Sequence, residues 1–154
     1  MKITFVQTGG TVDKDYQRGV THHGYNFEIG DAAVHRILVK VKPSFEWEVL
    51  PLLRKDSLDI TDEDREGLVR EIRAINADRI VVTHGTDTIH LTAAALRWLS
   101  KTIVLTGATL PERFSDSDAM FNLGMAVAAV QTLGAGVYIA LHGEVVPWED
   151  FKSR

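Results

Sequence analysis

Arg79-Ile80-Val81-Val82 runs directly into Thr83-His84-Gly85-Thr86-Asp87-Thr88, and Ile89-His90-Leu91-Thr92-Ala93-Ala94-Ala95-Leu96 follows. A β-branched run, a polar turn and a stretch of helix formers read as strand, turn and helix. The turn places hydroxyls and a carboxylate at the carboxyl end of a strand, where open α/β sheets bind ligands. Taken alone, Thr86 or Asp87 is better explained as the N-cap of the helix. A second threonine turn, Thr8-Gly9-Gly10-Thr11, follows the first strand of the same chain and raises the interest of both.

Working outward, strand and helix alternate. Lys2 to Gln7 reads as the first strand, and Thr11 to Phe27 as a long polar loop. Loops of that length are uncommon unless they are functional or disordered. Val34, Ile37, Leu38 and Val41 have helical spacing within Asp31 to Lys42, which Pro43 ends. Phe45 to Leu53 is the second strand, with Pro51 blurring its end. Thr61 caps a helix whose buried stripe is Leu68, Ile72 and Ile75, and its acidic first turn, Asp62 to Glu66, reads as solvated. Arg79 to Val82 and Lys101 to Thr106 are strands three and four, and the helix between them runs to about Ser100. Asp118 to Leu133 is a helix rich in alanine, able with Gly124 to approach a neighbour closely. Gly136 to Leu141 is strand five, and His142 to Arg154 an irregular tail. The expected fold is a single-domain, three-layer α/β/α unit over residues 1–154, with a mostly parallel five-stranded sheet. In such a sheet the turns Thr8–Thr11, Asp56-Ser57, Thr83–Thr88, Thr106–Thr109 and His142-Gly143 converge on one rim.

Composition narrows the function. A formal charge of −4 gives no electrostatic footprint for nucleic acid. No apolar run is long enough to span a membrane, and Met1 to Val6 is too short for a signal peptide. The lack of cysteine excludes thiol catalysis and disulfides and fits a cytoplasmic protein. The chain has neither G-x-G-x-x-G nor G-x-x-x-x-G-K-[ST], which argues against a nucleotide site. His22, His23, His35, His84, His90 and His142 lack metal-ligand spacing and read as surface or hydrogen-bonded side chains; no metal and no cofactor are expected. Nucleophilic catalysis remains. A threonine hydroxyl needs a base, and Tyr16, Asp87 and Lys152 are within the chemistry available to Thr11 and Thr86. The Asp13-Lys14-Asp15 cluster reads as solvated.

Thr8-Gly9-Gly10-Thr11 and Thr83-His84-Gly85-Thr86-Asp87-Thr88, together with their spacing, resemble the two signatures of the bacterial-type L-asparaginases. Asp56-Ser57, Thr106-Gly107-Ala108 and Ser117-Asp118-Ala119 with Asn122 extend the likeness over nearly the whole chain. The pattern around Val12-Asp13-Lys14-Asp15-Tyr16 is similar to that of the short, single-domain members. The resemblance implies hydrolysis of L-asparagine to L-aspartate and ammonia without cofactor or metal, with weaker action on L-glutamine. It implies Thr11 as primary nucleophile, Thr86 as the threonine of a second triad, and Asp87 as partner of Lys152 and of the substrate amine. It also implies Tyr16 as the activating tyrosine on a mobile lid over residues 11–27, with Tyr25 its rival. Asp56 and Ser57 would bind the α-amino and α-carboxylate groups, and Ala108 would line the pocket through its backbone. A homo-oligomer, dimer or tetramer, follows from the same resemblance. Leu58 stands where many members carry a polar ligand, and the tail matches the lysine motif loosely. Two other roles share these residues: an ammonia-supplying subunit of an amidotransferase, and a non-catalytic amino-acid-binding domain.

Overall fold

The computed structural model describes residues 1–16 and 26–153. In chain order its elements are β1 (Lys2–Gly9), β2 (Lys14–Tyr16), β3 (Phe27–Ile29), α1 (Ala33–Val41), β4 (Glu46–Lys55) and α2 (Asp62–Ala74). They continue with β5 (Arg79–Thr83), α3 (Ile89–Leu96), β6 (Thr102–Thr106), α4 (Ala119–Thr132), β7 (Gly136–Leu141) and β8 (Glu144–Pro147). The central sheet has the order β4-β1-β5-β6-β7-β8. Its first five strands are parallel and β8 pairs antiparallel to β7.

The strands alternate faces residue by residue. Ile80 and Val82 of β5, with Ile103 and Leu105 of β6, join Leu68 and Ile72 of α2 and Ile89, Ala93 and Leu96 of α3. Val81 and Val104 point the other way, to Val34, Ile37 and Leu38 of α1 and Leu123, Ala126 and Val130 of α4. Three layers result, with a strand-rich core buried on both sides, as parallel sheets require. Each such fully buried aliphatic side chain contributes about 1.5–3 kcal/mol, so the strand ends are fixed by packing and the turn residues are free to carry chemistry.

The expected helices and parallel strands are present, with ends displaced by a few residues. Three features differ. First, the sheet has six strands rather than five, because the tail folds back. His142 and Gly143, with φ of 55° and 85°, make a two-residue turn, and Glu144–Pro147 pairs along Leu141 to Tyr138. Two positive φ values match the twist of the flanking strands. Second, the 11–27 stretch is not all loop: Lys14–Tyr16 pairs antiparallel with Phe27–Ile29 in a separate two-stranded sheet. Third, Gly124 is no point of close approach, since a Cβ there would meet nothing within 4 Å. Pro51 is tolerated because β4 is an edge strand. Thr61 caps α2 as expected, in a reciprocal capping box with Asp64.

The strand order reverses between β1 and β5: the chain moves from β1 outward to β4, then returns to the other side of β1. Ligands of open α/β sheets bind in the crevice at such a switch point, beyond the carboxyl ends of the strands. Here the two strands flanking it are those that end in the two threonine turns.

Candidate active site

The two turns touch through their glycines. Gly10 has φ 84° and ψ −177°, a conformation open essentially to glycine alone. A Cβ on it would lie 2.3 Å from Gly85 N and 2.5 Å from Gly85 Cα, so the turn after β1 rests directly on the backbone of the turn after β5. On the far side of Gly85, a Cβ would lie 2.7 Å from Ser57 Cβ and 2.8 Å from its Oγ. The turn after β6 joins them: Gly107 abuts the His84 carbonyl, with Thr86 Cγ2 close by. Four strand ends thus bring Gly10-Thr11, Asp56-Ser57, Gly85-Thr86 and Gly107-Ala108 to one place. Sheet topology accounts for this convergence, and the glycines account for its tightness.

Hydrogen bonds hold each turn from below. Thr8 Oγ1 donates to the Thr83 carbonyl at 2.8 Å, and Thr88 Oγ1 donates to the Ser57 carbonyl at 2.7 Å. Asp118 accepts the N–H groups of Thr109 (2.9 Å) and Leu110 (3.1 Å), and Asn122 Nδ2 donates to the Gly107 carbonyl (3.0 Å). Burial opposes ionisation of Asp118, but the N–H donors of Thr109 and Leu110 outweigh it and hold its carboxyl below the usual range. Ser117, Asp118 and Asn122, read from the sequence as part of a signature, therefore anchor the 106–110 turn.

The capping explanation for Thr86 and Asp87 is removed. The N-cap of α3 is Thr88, and its hydroxyl is spent on Ser57 rather than on the helix. Thr86 is half-buried, Asp87 is exposed, and neither side chain bonds to any described residue. Thr11 opens the short 3₁₀ turn Thr11–Asp13 and is half-buried. Ser57 is buried, and its Oγ has no hydrogen-bond partner among the described residues. A buried hydroxyl without a partner is uncommon and suits a site that a polar ligand completes. Ala108 is buried at the turn after β6.

Other predicted residues lie further out. Tyr16 is exposed on β2, its ring 4.9 Å from that of Phe27, which in turn meets Phe114 edge-on. Lys152 follows the 3₁₀ turn Trp148–Asp150; it is exposed and bonds to no described residue. Tyr25 and the His22-His23 pair lie outside the described residues.

The Asp13-Lys14-Asp15 cluster is not solvated, contrary to expectation. Asp13 is fully buried: one carboxylate oxygen accepts Ala33 N–H at 2.8 Å and the other accepts Gln7 Nε2 at 3.1 Å. Burial pushes its pKa up to about 6, against the pull of those two donors. Lys14 Nζ reaches Asp56 at 3.2 Å, and Arg113 Nε donates to Asp15 at 2.9 Å. The charge run is legible in sequence; its partners are too far along the chain to be read. Nor is the start of α2 wholly solvated. Asp64 pairs with Lys55 at 2.7 Å, and Arg65 is buried against Thr92. Beneath the β5 turn, His84 is fully buried, and burial first, then the nearby Arg65 and His90, lower its pKa to about 4. Among the described residues no group of three or more His, Asp or Glu side chains is placed to hold a metal ion. No described helix is long and apolar enough to cross a membrane.

Comparison with known proteins gives a consistent result. The family model described as asparaginase, N-terminal, matches residues 2–151, which takes in every rim residue above and stops one residue short of Lys152. A glutamyl-tRNA(Gln) amidotransferase subunit of Methanococcus vannielii is 33% identical over 150 residues, covering 93% of this chain and 34% of that protein. The protein of the same name from Thermococcus kodakarensis is 32% identical, over 92% of this chain and 33% of its own length. Among solved structures, the thermostable L-asparaginase from Thermococcus kodakarensis superposes with a TM-score of 0.81 at 29% identity, over 96% of this chain and 46% of that one. L-asparaginase I from Vibrio cholerae shares the fold at a TM-score of 0.80 and 21% identity, over 96% of this chain and 46% of that one. The chain spans about a third of the length of the curated relatives it matches and under half that of the solved ones.

Proposed function

For a chain that belongs to the asparaginase family, as this one does, we propose amide hydrolysis: conversion of L-asparagine to L-aspartate and ammonia by a threonine nucleophile. The observation that carries this reading is the pair of threonine turns in contact across the β1/β5 switch point, with Thr11, Thr86 and Asp87 all free of side-chain hydrogen bonds to described residues. Thr11 Oγ1 attacks the side-chain amide carbon and forms a C–O bond. The C–N bond breaks and ammonia leaves with the proton taken from the hydroxyl. Water then cleaves the ester, releases aspartate and restores the hydroxyl. Tyr16 assists Thr11, and Lys152 with Asp87 serves Thr86. Asp56 and Asp87 hold the α-ammonium group and Ser57 the α-carboxylate, which would satisfy its orphan hydroxyl. The Ala108 backbone lines the pocket. The active form is a homo-oligomer, either dimer or tetramer, and light scattering that finds only monomer would remove that part of the reading.

A second reading has its own support: the curated relatives are named as subunits of an amidotransferase. In that role the same site would release ammonia for a partner protein, and the chain alone would turn over slowly. Ammonia release from asparagine by purified protein separates the two. Full activity without any partner favours the first. Thr11→Ala and Thr86→Val should each lower kcat by roughly 10³-fold or more; undiminished turnover in both would sink the assigned roles.

A further inference from the structure

Beneath the Gly85-Thr86 turn lies a chain of buried polar groups, of which only His84 belongs to the signature, and the hydrolysis steps above use none of them. Arg65 of α2, nearly fully buried, places Nε 3.3 Å from Thr92 Oγ1, while its Nη1 is 3.0 Å from Asp62 at the surface. Thr92 of α3 is fully buried, with its hydroxyl 2.7 Å from His84 Nε2. His84 Nδ1 is 2.7 Å from the Gly85 carbonyl oxygen.

Hydrogen-bond chemistry gives this chain one direction. The guanidinium can only donate, so Thr92 Oγ1 is the acceptor from Arg65. The Gly85 carbonyl can only accept, so His84 Nδ1 carries the imidazole proton. A neutral imidazole with Nδ1–H has a bare Nε2, which must accept; the Thr92 hydroxyl proton is the one available. With the ring neutral, as its burial and lowered pKa dictate, all three links are satisfied at once only in the order Arg65 to Thr92 to His84 to Gly85. Bonds aligned this way polarise one another.

The Gly85–Thr86 peptide translates that chain into the site. A trans peptide directs its C=O and N–H to opposite sides. With the carbonyl held against His84, the Thr86 N–H is turned away from the imidazole, and it donates to no described residue. We propose that Arg65, Thr92 and His84 are positioning residues that fix the Gly85–Thr86 peptide, and so set both the Thr86 side chain and its free N–H toward the substrate's developing negative charge. This rests on the amide-hydrolase reading for the identity of the substrate, but the hydrogen-bond order stands without it.

The test uses the full chain, labelled with ¹⁵N-histidine, at pH 7.5. The His84 signal, assigned by its loss in His84→Gln, should show a neutral ring with the proton on Nδ1. Thr92→Val should shift that ring toward a mixture of tautomers and lower kcat for asparagine roughly ten- to a hundredfold, as small misplacement does, with KM changed less than about twofold. Thr92→Ser, which keeps the hydroxyl but loses the methyl group, should restore both tautomer and kcat while leaving melting temperature below wild type. A mere packing role predicts the reverse, with Ser failing and Val, the closer match in shape, retaining kcat. A proton found on Nε2 in the wild type, or a Val variant with unchanged tautomer, overturns the proposal. If wild-type protein releases no ammonia, the hydrolase reading fails, while the tautomer measurements still decide the hydrogen-bond order.

Discussion

The turn Thr83–Thr88 and the segment Thr11–Tyr16 face each other across the same switch point, yet they are held by different forces. The turn is wedged between Gly10 and Ser57 and tied by neutral hydrogen bonds from Thr8, Thr88 and His84. The segment is held by groups that titrate or carry charge: Asp13 hydrogen-bonded in the interior, Lys14 paired with Asp56, and Asp15 paired with Arg113. Neutral buried bonds respond weakly to salt, whereas partly exposed ion pairs are screened. The two also respond to acid with opposite sign. His84 has a folded pKa of about 4 against 6.5 when free, so its contribution is complete above pH 6.5 and lost as pH falls toward 4. Asp13 has a folded pKa of about 6 against 3.8 when free, so its contribution is complete below 3.8 and lost as pH rises through 6. One side of the rim is built as a fixed template and the other as a charge-dependent attachment.

The sharpest way to break this contrast is to disturb the contact between the two. Gly10→Ala forces a Cβ to within 2.3 Å of Gly85 N at a residue with φ 84°. Backbone strain and the clash together should cost about 3 kcal/mol or more, measured by urea unfolding, and turnover should fall with it because both threonine turns move. Wild-type stability in this variant would mean that the turns do not rest on one another and that the template description is wrong.

How far the sequence foretells each region follows from the same contrast. Ile80, Val81 and Val82 announce a strand by composition, the following alanines announce a helix, and the position of Thr86 and Asp87 at a strand end needs no long-range knowledge. Parallel topology then brings the other strand ends to the same edge. The segment Lys14–Tyr16 is opaque because it pairs as a strand of three residues, two of them charged, with Phe27–Ile29. Its stabilising partners, Asp56 and Arg113, lie 42 and 98 residues away. A burial as deep as that of Asp13 has no local signal at all. The β7–β8 turn escapes a sequence reading because His-Gly is a weak turn pair and Val145-Val146 is followed at once by Pro147. Tyr16 and Lys152 stand out in the sequence as candidate bases, their specific roles come from the resemblance, and both side chains are exposed.

A smaller effect tests the interior charge. Asp13→Asn removes the titration while keeping an acceptor for Ala33 N–H. Relative to wild type, the variant should gain about 2–3 kcal/mol between pH 4 and pH 7, because the wild type must ionise a buried carboxyl over that range and the variant need not. Unfolding free energies measured at several pH values give the slope directly. His84→Gln should give a slope of the opposite sign: the variant gains relative to wild type as pH falls from 6.5 toward 4. Parallel curves for Asp13→Asn and wild type would show that Asp13 is not the titrating element.

The smallest effect isolates the surface attachment. Arg113→Ala breaks the bond to Asp15, whose carboxyl the guanidinium holds below its usual range against a modest burial cost. With the arginine side chain 41% exposed, the pair should contribute no more than about 0.5 kcal/mol to global stability, and less at 1 M salt. Amide exchange is the more telling readout, because local opening need not involve global unfolding. Protection should fall at Lys14–Tyr16 and Phe27–Ile29 while Thr83–Thr88 keeps its own. Equal loss at both would mean that the two sides open as one unit, and the division between template and attachment would not survive it.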